Sequence, residues 1–269
     1  MGINQDIGVI NILKEFNMDK IIISLTTIPN RLNYPHNNGG LKKVLDKILN
    51  LSYKNYEVHL NIPYVCKKNN ENYNIPNWLS ELKNDKLKVF RTEDYGSLTK
   101  LVPTLQRTKI DDDIIIITVD DDLEYMDGFI EYHLEKRKKY PNAALGFAGI
   151  SSLNRTCHFC TTVNEDVRVK ILEGYKTVSY KRNFFKDDFF KEFLNKSWND
   201  DMIISAYLGK HFIEKWVMNY NKDKDFSARV ESFPVVGHLP NERGGCWWFR
   251  SENTSDNSDV YYKLGYLER

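Results

Sequence analysis

Apolar and polar positions along the chain switch repeatedly between a short, strand-like run and a helical period. Ile21-Ile22-Ile23 leads into Ser24-Leu25-Thr26-Thr27, so residues 20–26 read as a first core strand. Residues 37–40 read as a loop, after which Leu41, Val44, Leu45, Ile48 and Leu49 recur at helical spacing. Residues 57–62 alternate and return as a second strand closed by Pro63, giving a βαβ unit whose crossover is expected to be right-handed. A helix near residues 78–83 and a third strand at 88–91 come next. Leu98, Leu101, Val102 and Leu105 predict another helix, which Pro103 shortens, kinks or splits. The run Ile114-Ile115-Ile116-Ile117-Thr118-Val119 shows no alternation, the mark of a strand buried on both faces of a parallel sheet.

The second half continues the pattern. Asp127 is placed to cap a helix over 128–139 whose inward positions are Phe129, Ile130, His133 and Leu134; His133 reads as a core or boundary histidine. Residues 143–150 and 167–172 read as extended and 176–181 as a further strand. Helices over 187–194 and 200–210 and a last strand over 212–217 follow. Strands alternating with helices, without repeat or linker, predict an α/β fold: one domain over 1–269 with a mainly parallel central sheet flanked by helices. Residues 251–269 form a tail that is polar and turn-rich over 251–259.

Composition narrows the picture. The 269 residues are 41% hydrophobic and 13% aromatic, enough for a substantial core, and the net charge of +1 argues against a broadly basic nucleic-acid-binding surface. No apolar stretch reaches the roughly 18 residues of a transmembrane span, and no basic-then-apolar leader opens the chain, so a cytoplasmic site is expected. Four cysteines make no disulfide scaffold. Cys157-His158-Phe159-Cys160 has the spacing of half a zinc site, with no second pair following, so these read as ordinary thiols.

The chemistry concentrates where the isoleucine run ends in Asp120-Asp121-Asp122. The carboxyl ends of strands in an open α/β sheet are where ligands bind, and a regular strand would turn Asp120 and Asp122 to one face. Carboxylates packed this closely need a cation, and Mg²⁺ or Mn²⁺ held by carboxylates commonly completes its shell with substrate phosphates. A solvated acidic turn is the competing reading, and it is the one that suits Asp111-Asp112-Asp113 at the other end of the strand. Three further segments stand beside the aspartates as candidates, of which the first, directly after the first strand, opens onto the same sheet edge. In the loop 26–31, Thr26 and Arg31 are candidates to meet a base or phosphate. In 94–100, Gly96 and Ser97 suit a helix start, Asp94 could accept a hydrogen bond from base or ribose, and Lys100 could approach a diphosphate. At 198–205, Asp200 and Asp201 open a helix, as cap and dipole partners or as a base for an acceptor hydroxyl.

In their order along residues 21–217, these segments resemble the nucleotide-sugar glycosyltransferases of GT-A fold, in the Asp-X-Asp class and similar to its inverting family-2 members. The resemblance implies a Rossmann-like domain with a nucleotide-binding half at about 20–125 and an acceptor-side half at about 126–250. It implies transfer of a sugar from a nucleoside diphosphate sugar, preferably of UDP, to a hydroxyl of a glycan, glycoconjugate or protein, with Mn²⁺ or Mg²⁺ as cofactor. Asp120 and Asp122 would hold the metal-diphosphate, with Asp121 beside them and His238 as a candidate third metal ligand. Arg31, Asp94 and Lys100 would lie on the nucleotide side, and Asp201 would be the base. Gly174-Tyr175-Lys176-Thr177-Val178-Ser179-Tyr180 resembles the strand preceding the acceptor-side helix. Gly244-Gly245-Cys246-Trp247-Trp248 suits either a closing loop with an aromatic sugar platform or an anchor for the tail. Three alternatives stay open: a sugar nucleotidyltransferase, disfavoured because residues 26–31 contain no glycine, a non-catalytic nucleotide- or carbohydrate-binding module, and, as the weakest, a metal-dependent phosphohydrolase.

Overall fold

The computed structural model describes residues 20–33, 41–82, 84–123, 125–150, 158–160, 165–194 and 199–219. Eight strands form the central sheet: β1 (Lys20–Thr26), β2 (Tyr56–Pro63), β3 (Leu87–Thr92), β4 (Ile114–Thr118), β5 (Ala143–Gly146), β6 (Val167–Arg168), β7 (Val178–Lys181) and β8 (Glu214–Val217). Their order across the sheet is β6-β8-β5-β7-β4-β1-β2-β3. β1 lies between β2 and β4 and is parallel to both, with Ile22 opposite Glu57 on one side and Ile116 on the other. β3 extends this half in parallel beside β2, and β5 and β8 are parallel in the other half. The expected mainly parallel α/β sheet flanked by helices is therefore present.

The unbroken isoleucine runs have a direct cause. Ile21, Ile23, Leu25, Ile115 and Ile117 pack on one face, with α2 (Leu41–Leu49) and the start of α5 (Phe129–Lys139). Ile22, Ile114 and Ile116 pack on the other, with residues 98–105 and the aromatic group Phe185, Phe189, Phe193 and Tyr207. Both faces are covered, so neither set of alternate positions can be polar. Each buried isoleucine contributes about 1.5–3 kcal/mol of transfer free energy.

Several expectations need revision. β7 is antiparallel to both β4 and β5, so the two parallel halves are joined by a strand of opposite direction. It begins at Val178 rather than at residue 176, because Gly174–Lys176 closes a 3₁₀ turn first. Asp127 does not cap α5: the N-cap is Gly128 at φ 88°, and Asp127 Oδ1 instead accepts the Ser52 amide at 2.7 Å. The helix over 98–105 is split, one of the outcomes expected from Pro103, into a 3₁₀ turn Gly96–Lys100 and α4 (Val102–Arg107). Pro103 sits in the first turn of α4, where no intrahelical N–H bond is lost. The 187–194 segment forms a wide π turn, Phe189–Phe193, seating Phe189 4.9 Å from the Tyr207 ring. Phe212 precedes β8 as an exposed left-handed residue at φ 55°.

Two buried polar networks bolt helices to this sheet. Ser24 Oγ donates to the Lys100 carbonyl at 2.6 Å and lies 2.6 Å from Thr104 Oγ1, while Asn61 Nδ2 reaches both hydroxyls at 3.2 Å. In the other half, His133 joins Ser179 Oγ at 2.9 Å and Thr177 Oγ1 at 2.7 Å, and Arg137 donates to the Ala143 and Ser179 carbonyls. The core reading of His133 holds, since it is fully buried.

Burial pushes the pKa of His133 down to about 3 and that of His59 down to about 4. Both histidines are neutral when folded, whereas the unfolded chain takes up protons below the ordinary value of about 6.5. Their contribution is therefore complete above that value and is lost as pH falls, at about 1.4 kcal/mol per pH unit for each. Urea unfolding between about pH 6 and pH 4.5 is expected to show this loss. His133→Gln should be less stable at pH 7 yet lose about 1.4 kcal/mol less per pH unit; an unchanged slope would show that His133 does not titrate on unfolding.

Candidate active site

β4 ends at Thr118, and Val119 extends its ladder by one bond to the Ser24 carbonyl, at 3.1 Å. The chain then turns, so Asp120, Asp121 and Asp122 lie beyond the strand and the two-residue alternation expected of Asp120 and Asp122 does not apply. Tyr125 holds the turn: its hydroxyl accepts the Asp120 N–H at 2.6 Å and donates to the Asp120 carbonyl at 3.2 Å. Burial, followed by the Asp120 charge, keeps that phenol well above its usual pKa, so it remains a donor.

The three carboxylates find different partners. Asp121, the most buried, accepts Thr27 Oγ1 at 2.6 Å and a short bond from Arg31 Nη1. Arg31 Nη2 donates to Asp122 at 2.7 Å, so one guanidinium spans two adjacent acids. Arg31 comes from the short helix α1 (Pro29–Asn33) just after β1. Burial disfavours its charge, but Asp121 and Asp122 outweigh that and raise its pKa.

Asp120 is paired with Lys100 at 2.8 Å. The same ammonium lies 3.2 Å from Asp200 at the start of α6 (Asp200–Lys210). Lys100 is buried, which opposes ionisation, but Asp120, Asp200 and Asp201 together hold it well above the ordinary lysine pKa. Burial likewise opposes ionisation of Asp200, yet Lys100 and the Ser97 hydroxyl keep its pKa low. Asn199 caps α6 by accepting the Asp201 N–H at 2.8 Å, and Asp201 Oδ1 accepts the Gly174 N–H at 2.8 Å.

The structure thus brings Arg31, Lys100, Asp120, Asp121, Asp122 and Asp201 into one connected group. Thr26 points elsewhere: its hydroxyl donates to the Asn61 carbonyl at 2.7 Å, and Thr27 supplies the contact to Asp121. Asp94 accepts the Lys67 and Gly96 amides, each at 2.7 Å, and so shapes the entry to the 3₁₀ turn that carries Lys100. His238, residues 244–248 and the tail lie outside the described residues, as does Cys157. Sequence reasoning missed Thr27, Tyr125 and Gly174 and gave Asp200 no role of its own. The doubled threonine after β1 was a usable signal for Thr27; nothing local in the sequence singles out the other three.

Among the described residues, Arg31 pairs with Asp121 and Asp122, and Lys100 with Asp120 and Asp200. The pKa of Asp122 is pushed up to about 7, by burial first and then by Asp121 and Asp120, against the pull of Arg31 and Lys100. Among the described residues, no group of three or more His, Cys, Asp or Glu side chains is arranged to hold a metal ion. Asp120 and Asp122 each face a cation of the protein, Lys100 and Arg31 respectively. Among the described residues, no helix is long and apolar enough to cross a membrane.

No protein-family model matches the chain, and no curated protein matches it. Among solved structures it is similar to the crystal structure of S. aureus TarS 1-349, at 16% identity and a TM-score of 0.46. The match covers 71% of this chain and 56% of that one, so the chain spans little more than half the length of the structure it matches. A likeness this distant carries no weight for function, which has to be read from the site itself.

Proposed function

We propose that the protein is a metal-dependent glycosyltransferase of GT-A type, moving a sugar from a nucleoside diphosphate sugar, preferably of UDP, to a hydroxyl acceptor with inversion. The observation that carries this reading is the placement of Lys100 between Asp120, after β4, and the acidic start of α6. In this reading the diphosphate-side Asp120 and the start of the helix that carries Asp201 share one cation. The resemblance of the ordered motifs supplies the choice of a sugar donor and of UDP.

In this reading Asp120 and Asp122 hold Mn²⁺ or Mg²⁺, and the bound ion supplies neutralising charge for the diphosphate. Lys100 adds a second positive charge beside the departing group, in a buried setting where charge stabilisation is worth most. Asp201 takes the proton of the acceptor hydroxyl. The acceptor oxygen forms its bond to the anomeric carbon from the face opposite the leaving group, while the bond from that carbon to the diphosphate oxygen breaks. The electron pair stays on the diphosphate, so configuration inverts. Arg31, Thr27 and Asp121 keep the acidic turn in shape. The acceptor is a hydroxyl of a glycan, glycoconjugate or protein.

The first test is thermal stabilisation by UDP with and without Mn²⁺. Ligand at about one hundred times its dissociation constant adds about 2.7 kcal/mol when it binds only the folded state. A shift that requires both components is expected, and Asp122→Asn should abolish it. No shift from UDP in the presence of Mn²⁺ would overturn the donor assignment.

Asp201→Asn should keep the Mn²⁺-dependent UDP shift and lower kcat about 10²–10⁴-fold, the range set by loss of a general base. Transfer at the original rate would remove Asp201 as the base. Lys100→Met leaves Asp120 and Asp200 without their cation. It should cost about 3–5 kcal/mol of stability, read by urea unfolding, as removing one partner from a buried ion pair does.

A further inference from the structure

Gly174 occupies an unusual position between charges. Its amide N–H donates to Asp201 Oδ1 at 2.8 Å. A methyl group built at its α-carbon would lie 3.0 Å from that same oxygen and 3.2 Å from Lys100 Nζ. The other close-packed glycines face neutral neighbours: at Gly146 the nearest atoms would be Val178 Cγ2, Leu172 Cδ2 and the Thr177 carbonyl, and at Gly149 the Ile171 carbonyl and valine methyls. At position 174 a side chain would be wedged between a carboxylate and an ammonium of the site.

The turn that carries Gly174 is held under strain. Thr177, three residues on, is buried and has φ 120° and ψ 139°, a conformation costing a β-branched residue about 1–3 kcal/mol. Its hydroxyl is fastened to His133 at 2.7 Å, and His133 is fastened in turn to Ser179 in β7. Strain of this size persists only where the surroundings over-determine it, and here the sheet and α5 do so.

We propose that Gly174 is a positioning residue for Asp201. Its amide fixes one carboxylate oxygen of Asp201, and its missing side chain lets Asp201 stand close to Lys100. The turn 174–177, clamped through Thr177 and His133, sets the height of that amide. This inference rests on the assignment of Asp201 as base, which it deepens.

The test uses UDP release from UDP-glucose, UDP-galactose and UDP-N-acetylglucosamine as probes, with Mn²⁺, on the full chain. Gly174→Ala is compared with Gly146→Ala, Asp201→Asn and the double variant Gly174→Ala/Asp201→Asn. Thermal shift by UDP and Mn²⁺ serves as the check on folding. Gly174→Ala should keep that shift and a donor KM within about two-fold, while kcat falls about 10–100-fold, as sub-ångström to 1 Å misplacement of a reacting group does. Gly146→Ala should lower the melting temperature and leave kcat unchanged. The double variant should be no slower than Asp201→Asn alone, because the two changes act through one carboxylate. A multiplicative loss in the double variant, or wild-type kcat in Gly174→Ala, would overturn the positioning role while leaving the transferase reading intact. UDP binding without release from any donor by the wild-type chain, or full activity in Asp201→Asn, would instead overturn the reading on which it rests.

Discussion

The buried ammonium of Lys100 is the contact on which the rest of the site depends. It comes from a 3₁₀ turn beneath the sheet and reaches Asp120 after β4 and Asp200 at the head of α6. These groups are 20 and 100 positions away in the chain, yet one cation couples them. Burying such a charge is expensive, and it is tolerable here only because carboxylates approach from two sides. The backbone of Lys100 is anchored separately, through its carbonyl to Ser24 in β1. The central strand, the acidic turn and α6 are thus linked through one residue.

Around that link, adjacent acids are shared out between two cations: Arg31 covers Asp121 and part of Asp122, and Lys100 covers Asp120 and Asp200. Burial, with Asp121 and Asp120 beside it, raises the pKa of Asp122. The hydroxyls of Thr27 and Tyr125 hold the turn, one at the Asp121 carboxylate and the other at the Asp120 backbone.

The second half of the sheet serves the same site from a distance. The antiparallel β7 brings the 174–177 turn against α6, and the His133–Thr177–Ser179 network keeps that turn in a backbone conformation it would not otherwise adopt. Burial makes His133 neutral, so it can join two hydroxyls without adding a further charge. A histidine that reads from sequence as a core residue therefore still bears on the geometry of Asp201.

Much of this was legible in the residue pattern. β1, α2 and α6 fall where periodicity places them, and the isoleucine run of β4 announced burial on both faces, because short-range pattern reflects how many faces an element must bury. The candidate residues Arg31, Lys100, Asp120 and Asp201 could be named because they follow strand ends or open helices, even though caps and solvated turns are common local uses of the same residue types. The direction of β7 was not legible, since a strand of four residues reads alike in either direction. Nor were Tyr125 as the clamp of the acidic turn, Thr27 rather than Thr26 as its partner, or Gly174 as the donor to Asp201. Each depends on contacts between residues far apart in sequence, or on which way a side chain leaves a turn. The sequence by itself determined the elements, the parallel core and the pool of charged groups. Only the tertiary structure decided which carboxylate meets which cation, because pairing is set by the register and packing of distant elements and not by local periodicity.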